Sequence, residues 1–279
     1  MHTYYYDKSI ADGYTLKIIR EDIETSYKER LSDVYDKLET LVQKKDIRKS
    51  EIIEHPSYVS ELACYIMTDL KEFRKIQGDD TLGGMVICET SEQARRLYDV
   101  FQEEWQKYQP KPIKIKLSDG SYVVGEPEVD YKSKYRPLKA GIILHDTDDK
   151  ETRKQIVKDF KKNMTVDILI VFNMLLTGFD APRLKRLYFG RKLKDHNLLQ
   201  AITRVNRPYP GMRYGFVIDF ADIKRNFKET NEAYLQELNR FNDVDETGES
   251  AATDTFTQVI EDKEEILNQM KKVRQTLFN

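Results

Sequence analysis

Apolar and polar positions change their period along the chain, and these changes predict its elements. From about residue 81, short and nearly continuous apolar runs alternate with stretches whose apolar residues recur three or four positions apart. The short runs predict buried strands and the longer stretches predict amphipathic helices. The predicted strands are 85–88, 140–145, 166–172, 184–190 and 214–220. One predicted helix begins at Thr90 or Ser91, and two others span 147–162 and 197–207.

This alternation predicts an α/β fold, with a mostly parallel sheet covered by helices on both faces. Ahead of it, residues 21–48 and 57–77 have helical periodicity and predict a helical arm. Residues 110–137 interrupt the alternation with an "SDGS" turn between two strand-like runs, which predicts an inserted hairpin.

The chain therefore divides into three expected segments. They are a linker and helical arm at 1–80, an α/β lobe at 81–220 and an acidic helical extension at 221–279. The extension is predicted to be helical because it carries an apolar stripe: Val259, Ile260, Ile266, Leu267, Met270, Val273 and Leu277.

The composition predicts where the protein is located but does not indicate a binding partner. Acids and bases nearly cancel, to a formal net charge of −2, so no global field favours nucleic acid. Cys64 and Cys88 lie in apolar surroundings without C-x-x-C spacing and predict buried, reduced thiols. No apolar run is long enough to span a bilayer, and the first residues do not form a signal peptide, so we expect a cytoplasmic protein.

One stretch departs from this balance. Between residues 183 and 213 the only acid is Asp195, and the bases are Arg183, Lys185, Arg186, Arg191, Lys192, Lys194, Arg204, Arg207 and Arg213. Such a block suits either a bound polyanion or a solvated face.

Candidate ligand-binding residues follow the predicted strands, because open parallel sheets bind ligands beyond the carboxyl ends of their strands. Arg204 and Arg207 lie three positions apart, which puts both on one face of the predicted helix. Two planar, permanently charged side chains suit phosphate, although weak surface ion pairs are the alternative. Asp180 could form a turn, or accept a hydrogen bond from a ribose hydroxyl or an arginine.

Four stretches carry a family resemblance: "MVICETSEQARRL", "IILHD…R…F", "DILIVFNMLLTGFDAP" and "LLQAITRVNR". In this order they resemble the second RecA-like lobe of superfamily 2 helicases and translocases. Within that superfamily the chain looks most like the motor (R) subunit of Type I restriction–modification enzymes. Its opening, "YYYDKSIADGYTLKI", is similar to the segment that follows the first motor lobe in those subunits.

The resemblance implies a set of DNA-binding residues. Thr90 and Ser91 fall in the stretch that is similar to motif IV, which meets the DNA backbone. Asn173 falls early in the stretch that is similar to motif V, which also faces DNA. His145, at a strand end, is assigned to the same set, with a structural role as its alternative.

The resemblance also implies nucleotide-binding residues. Gly178 and Asp180, late in the motif V stretch, would serve nucleotide binding and coupling between lobes. Gln200, Arg204 and Arg207 match motif VI, so they would meet nucleotide phosphates, with the two arginines as catalytic candidates. Many relatives have glycine where Thr203 and Asn206 stand here, so either arginine could be the finger.

The chain also lacks parts of a complete motor. No glycine precedes a lysine, so the phosphate-cradling G-x-x-x-x-G-K-[ST] motif is absent, and no histidine and cysteine spacing predicts a metal site. The expected cofactor is ATP, with Mg²⁺ held by a first lobe that this chain lacks. We therefore expect half a motor that belongs to an ATP-dependent Type I deoxyribonuclease and is inactive alone.

The implied partners are double-stranded DNA, the first motor lobe, and the methyltransferase and specificity subunits; no membrane is expected. Two alternatives stay open: a motor lobe of another superfamily 2 repair helicase, or a non-enzymatic module that docks subunits.

Overall fold

The computed structural model describes residues 16–22, 25–43, 49–107, 113–116, 122–125, 136–145, 149–174, 179–191, 200–220 and 260–278. Its main sheet has the strand order β5-β6-β2-β7-β8-β1-β9, and every pair in it is parallel. These strands are β1 (Lys17–Asp22), β2 (Gly83–Ile87), β5 (Ala140–Ile143), β6 (Ile168–Val171), β7 (Leu184–Phe189), β8 (Tyr214–Asp219) and β9 (Ile260–Asp262). The predicted parallel α/β fold is confirmed.

Helices cover both faces of this sheet. They are α1 (Thr25–Gln43), α2 (Lys49–Ile53), α3 (Pro56–Gln77), α4 (Ser91–Lys107), α5 (Lys150–Lys158) and α6 (Lys263–Phe278). Helix α5 continues into a π-helical turn, Asp159–Asn163. Residues of α1, α3 and α4 pack on one face of the sheet, and residues of α5, the π turn and segment 201–205 pack on the other.

The two faces explain why the strands read as continuous apolar runs. In β6, Ile168 and Ile170 join the core under α3 and α4, whereas Leu169 and Val171 join the opposite core. Side chains of a strand alternate between faces, so a strand covered on both sides has no polar face to show in its sequence.

Helix α3, which falls in the predicted helical arm, is part of the layer that covers one face of the sheet. Pro56 occupies the start of the helix, the His55 side chain accepts a hydrogen bond from the Ser57 amide at 3.2 Å, and Gly78 ends it in a left-handed conformation with φ 68°. Its apolar face is buried, including Val59 and Ile66 at 0% exposure. The boundaries of the three predicted segments stay a prediction.

An antiparallel pair lies where the hairpin was predicted: β3 (Ile113–Lys116) pairs with β4 (Tyr122–Gly125). That residues 110–137 are an insertion stays a prediction. The predictions for the two ends of the chain were incomplete, because β1 lies within the main sheet, between β8 and β9. Residue 260 is in a strand, so the predicted helical stripe begins only with α6.

The predictions for the two cysteines have different outcomes. Cys88 is a buried free thiol as expected, but Cys64 is exposed, so that part was wrong. Burial alone raises the pKa of the Cys88 thiol well above its usual range. Among the described residues, no helix combines the length and the apolar character needed to cross a membrane.

Candidate functional site

The helix before the arginine segment ends earlier than predicted. Residues 200–202 are helical, but Arg204 and Val205 donate their amides to the carbonyls of Ala201 and Ile202, at 3.1 and 3.2 Å. These three-residue hydrogen bonds form a tight turn, so the prediction of a helix to 207 was wrong. Pro208 disfavours helical geometry at the residue before it.

Three consecutive carbonyls of this segment are bound by the sheet instead of by a continuing helix. Lys185 Nζ lies 3.3 Å from the Val205 carbonyl and also donates to the Arg207 carbonyl. The Asn206 carbonyl accepts the amide of Leu16 at 2.6 Å. Leu16 directly precedes β1, and Lys185 is the second residue of β7.

The segment from 205 to 207 therefore lies at the amino edge of the sheet, where the parallel strands begin. The expectation that it lies beyond the carboxyl ends was wrong. A segment that returns from the carboxyl edge to begin β8 must run antiparallel to the strands, so its last residues reach the opposite edge.

Both candidate arginines contact one loop. Arg204 Nη1 donates to the Phe179 carbonyl at 2.8 Å, and Arg207 Nε lies 3.3 Å from Asp180 Oδ1. Asp180 thus has the arginine partner that was one of its predicted roles. The Arg207 and Asp180 side chains are 46% and 61% exposed, so this ion pair remains open to solvent.

Gln200 and Gly178 were also predicted to bind nucleotide. Gln200 is half-buried, and its carbonyl accepts the Thr203 hydroxyl at 3.0 Å. Gly178 lies outside the described residues.

Positive charge is concentrated around this loop. Burial lowers the pKa of Arg204, the charge of Arg207 lowers it further, and Asp180 opposes both. Burial and then Arg207 lower the pKa of Lys185 to about 7. A bound anion would relieve the repulsion among these groups, and an arginine fork suits phosphate oxygens.

Lys185 is a residue that the sequence reasoning missed as part of this site. It has no exposed surface, and its Nζ lies 5.9 Å from the centre of the Tyr209 ring. A lysine within an apolar strand, two positions before Leu187 on the same face, was the available signal.

The carboxyl edge holds the residues predicted to meet DNA. Thr90 is the N-cap of α4, because its Oγ1 accepts the amide of Gln93 at 3.0 Å. The same hydroxyl donates to Glu54 Oε1 at 2.6 Å, which places a carboxylate beside the start of the helix. Ser91, the first residue of α4, is half-buried.

Asn173 and His145 follow the ends of β6 and β5, and both are exposed. Asn173 adopts a left-handed backbone with φ 54°, and its Oδ1 accepts a hydrogen bond from Arg191 Nη1. The Arg191 guanidinium also lies 5.5 Å from the centre of the Phe172 ring. In the sequence, Arg191 was noted only as one base of the basic stretch. Its position directly after a predicted strand was the signal that it lies at the carboxyl edge of the sheet.

Two other bases of the basic stretch neither bind a polyanion nor face solvent. Arg183 donates to the carbonyls of Thr81, Phe160 and Val166 at 2.5, 2.6 and 2.9 Å, and it is 2% exposed. Arg186 is held by Asp69 and Glu21, with nitrogen–oxygen distances of 2.6–2.8 Å. These two side chains therefore match neither prediction for the basic stretch, which were a bound polyanion and a solvated face.

No group of three or more histidine, cysteine or acidic side chains in the described part of the chain is placed to hold a metal ion.

Comparisons with known proteins point to one family. Residues 81–222 match the model of Type I restriction enzyme subunit R domain 3. A protein named as the type I restriction enzyme MjaVIIIP endonuclease subunit, from Methanocaldococcus jannaschii, is 29% identical over 83% of this chain and 24% of its own length. The MjaVIIP endonuclease subunit of the same organism is 45% identical over 31% of this chain and 8% of its own length.

A solved fragment described as the HsdR subunit of a type I restriction enzyme from Vibrio vulnificus YJ016 matches 81% of this chain and 36% of its own. The TM-score is 0.47 and the identity is 16%. The chain spans about a quarter or less of the length of the two Methanocaldococcus relatives.

Proposed function

The chain belongs to the family of Type I restriction enzyme R subunits, and we propose that it is the second motor lobe of an ATP-dependent translocase on double-stranded DNA. The first lobe, elsewhere in the same subunit, would hold ATP and Mg²⁺. The lobe described here would supply arginines to the nucleotide and backbone contacts to DNA. The family match favours this reading over the repair-helicase alternative.

The convergence of Arg204 and Arg207 on the Phe179–Asp180 loop supports the nucleotide role most strongly. The two stretches that resemble motifs V and VI are far apart in sequence, yet they are joined by a hydrogen bond and an ion pair. The cluster carries more positive than negative charge and is partly open to solvent, which fits a polyphosphate. ATP, when bound, supplies the phosphoryl group, and an arginine beside it stabilises the charge that develops during transfer.

DNA contacts are proposed at the carboxyl edge, where Asn173 and His145 are exposed and Arg191 adds a cation. The amide oxygen of Asn173 holds the Arg191 guanidinium without neutralising its charge, so the cation can still attract a phosphate. The Thr90 hydroxyl is a weaker candidate, because it already caps α4 and binds Glu54.

The test is DNA-stimulated ATP hydrolysis by the intact R subunit, comparing wild type with Arg204→Ala and Arg207→Ala. Arg213→Ala is the matched control, because Arg213 is an exposed arginine of the same basic stretch. We expect at least one of the two variants to lose about 100-fold or more of its turnover. The control should keep its activity. Wild-type turnover in both arginine variants would contradict the nucleotide role.

A second candidate function is subunit docking by the C-terminal helix. Leu267 and Met270 of α6 are 46% and 63% exposed, and their spacing of three residues puts both on one face of the helix. The methyltransferase and specificity subunits are the proposed partners. Replacing both residues with serine in the intact subunit should weaken co-purification of the complex but leave DNA-stimulated ATP hydrolysis unchanged. If instead the two arginine variants hydrolyse ATP normally and the serine variant fails to assemble, docking would be the main role of this chain.

A further inference from the structure

Lys185 is buried, although packing at this position of the strand does not require a charged side chain. Its Nζ binds the carbonyl of Val205, and Val205 belongs to the same apolar core as Leu187 and Phe189. No carboxylate in the described part of the chain forms an ion pair with it. A buried ammonium without a carboxylate partner is costly, and an apolar side chain would fill the position without that cost.

The carbonyls that Lys185 binds belong to the arginine segment. Its Nζ reaches Val205 and Arg207, so it spans the residues between the two candidate arginines. Leu16 binds the carbonyl of Asn206 between them. The segment therefore cannot shift along the sheet edge without breaking several hydrogen bonds.

Gly215 of β8 lets the same segment lie directly on the sheet. A Cβ atom at Gly215 would stand 2.3 Å from the Val205 carbonyl oxygen, so any side chain there would push the segment outward. One side of Val205 thus rests on β8, while Lys185 binds its carbonyl from β7. Two neighbouring strands together set the height and position of the arginine turn.

We propose that Lys185 is a positioning residue that fixes the backbone of residues 205–207 and thereby aims Arg204 and Arg207 at phosphate. This inference rests on the proposed function. Lys185 itself does not touch the nucleotide, because it has no exposed surface.

The experiment compares Lys185→Met with wild type in the intact R subunit, measuring kcat for ATP, the half-saturating DNA concentration and the urea unfolding midpoint. Methionine keeps most of the volume and removes the donors. We expect kcat to fall about 10-fold to 100-fold, since a misplaced catalytic group has effects of this size. The half-saturating DNA concentration should not change, because the proposed DNA residues lie at the opposite edge. Lys162→Met, at an exposed lysine, is the matched control.

A second measurement separates positioning from general damage. In an Arg207→Ala background, Lys185→Met should lower kcat much less than it does in wild type, because part of what it positions is already gone. A kcat close to wild type in the single variant, or an equal loss in both backgrounds, would overturn the proposal. So would a loss of kcat accompanied by equal loss of DNA binding.

A variant that fails to fold would be replaced by Lys185→Leu, which also lacks a donor, and would be assessed by the same criteria. The arginine variants distinguish the two levels of the argument. Normal hydrolysis by both Arg204→Ala and Arg207→Ala would contradict the proposed function itself. A loss of hydrolysis in those variants with normal hydrolysis in Lys185→Met would contradict only the role of Lys185.

Discussion

Strand β7 and the turn at 204–207 contain the same kinds of basic residue, but the fold uses them differently. Arg186 of β7 is 5% exposed, pairs with Asp69 and Glu21 and lies over the rings of Phe73 and Phe216. Arg207 pairs with one carboxylate and remains 46% exposed. The protein itself supplies the charged partners of Arg186, whereas Arg207 can still bind a ligand.

Their electrostatics differ in the same direction. Burial lowers the pKa of Arg186, but hydrogen bonds and charge from Asp69, with charge from Glu21, raise it above its usual range. At the turn, Arg207 lies beside Asp180. Burial and the charge of Arg207 lower the pKa of both Arg204 and Lys185. A count of bases therefore predicts neither a polyanion site nor a solvated face, because the partners of each side chain determine its role.

The largest stability effect is expected from Arg186→Met. The change leaves the Asp69 carboxylate without its cation in a largely buried position, and removing one partner of a buried pair costs about 3–5 kcal/mol. Urea unfolding of the chain, followed by circular dichroism, measures the loss. A change below about 1 kcal/mol would mean that the ion pairs of Arg186 contribute little to the stability of the fold. Arg186 and Arg207 would then not differ in this respect.

The next effect is a pH dependence that arises from Lys185. Its pKa is about 7 in the folded chain and near 10.5 when unfolded, so above pH 7 the unfolded chain binds more protons and stability rises with pH. Arg207 and the Tyr209 ring are the neighbouring groups that face it. From pH 6.5 to 9.5, wild type should gain on the order of 2–3 kcal/mol relative to Lys185→Met. Parallel pH profiles of the two unfolding midpoints would show that Lys185 is not a strained buried cation.

A smaller loss of stability is expected from Gly215→Ala. The added methyl group meets the Val205 carbonyl oxygen and forces a backbone shift, which typically costs about 1–3 kcal/mol. The displaced turn should also reduce ATP hydrolysis by the intact subunit. Ala140→Gly on β5 gives a comparison in which a core strand loses a methyl group far from the turn. Gly215→Ala with full stability and full turnover would mean that the turn is not seated on β8.

The smallest stability effect belongs to Arg207→Ala. Its ion pair with Asp180 is exposed and screened by solvent, so we expect a loss below about 1 kcal/mol. Urea unfolding of Arg207→Ala beside Arg186→Met gives the comparison in one experiment. A loss as large as that of Arg186→Met would place both arginines in the same structural class.

Much of the fold could be predicted from the sequence, because short apolar runs such as 168–171 directly indicate strands of a doubly covered parallel sheet. Strands β1 and β9 could not be predicted, since a short strand of mixed polarity such as β9 depends on a partner more than 200 residues away. The end of the helix at 202 has a similar cause, because Leu16 and Lys185 bind carbonyls that a continuing helix would have used.

The sequence predicted candidate members of the site but not their position on the sheet. The spacing of Arg204 and Arg207 and the resemblance to motif VI made both arginines nucleotide-binding candidates, and that role stays a prediction. Neither feature indicated the edge of the sheet where Arg207 lies. Lys185 and Arg186 were read only as charge, because a strand covered on both faces gives no alternation that distinguishes a buried cation from a solvated one.

The most direct test of the central claim is single-turnover cleavage of the γ-phosphate by the intact R subunit, at saturating ATP and DNA, with Arg204→Ala and Arg207→Ala. DNA affinity is measured in parallel. The proposal predicts that at least one variant cleaves about 100-fold or more slowly while DNA affinity and stability stay close to wild type. Wild-type cleavage rates in both variants, or a loss that follows only weaker DNA binding, would contradict it.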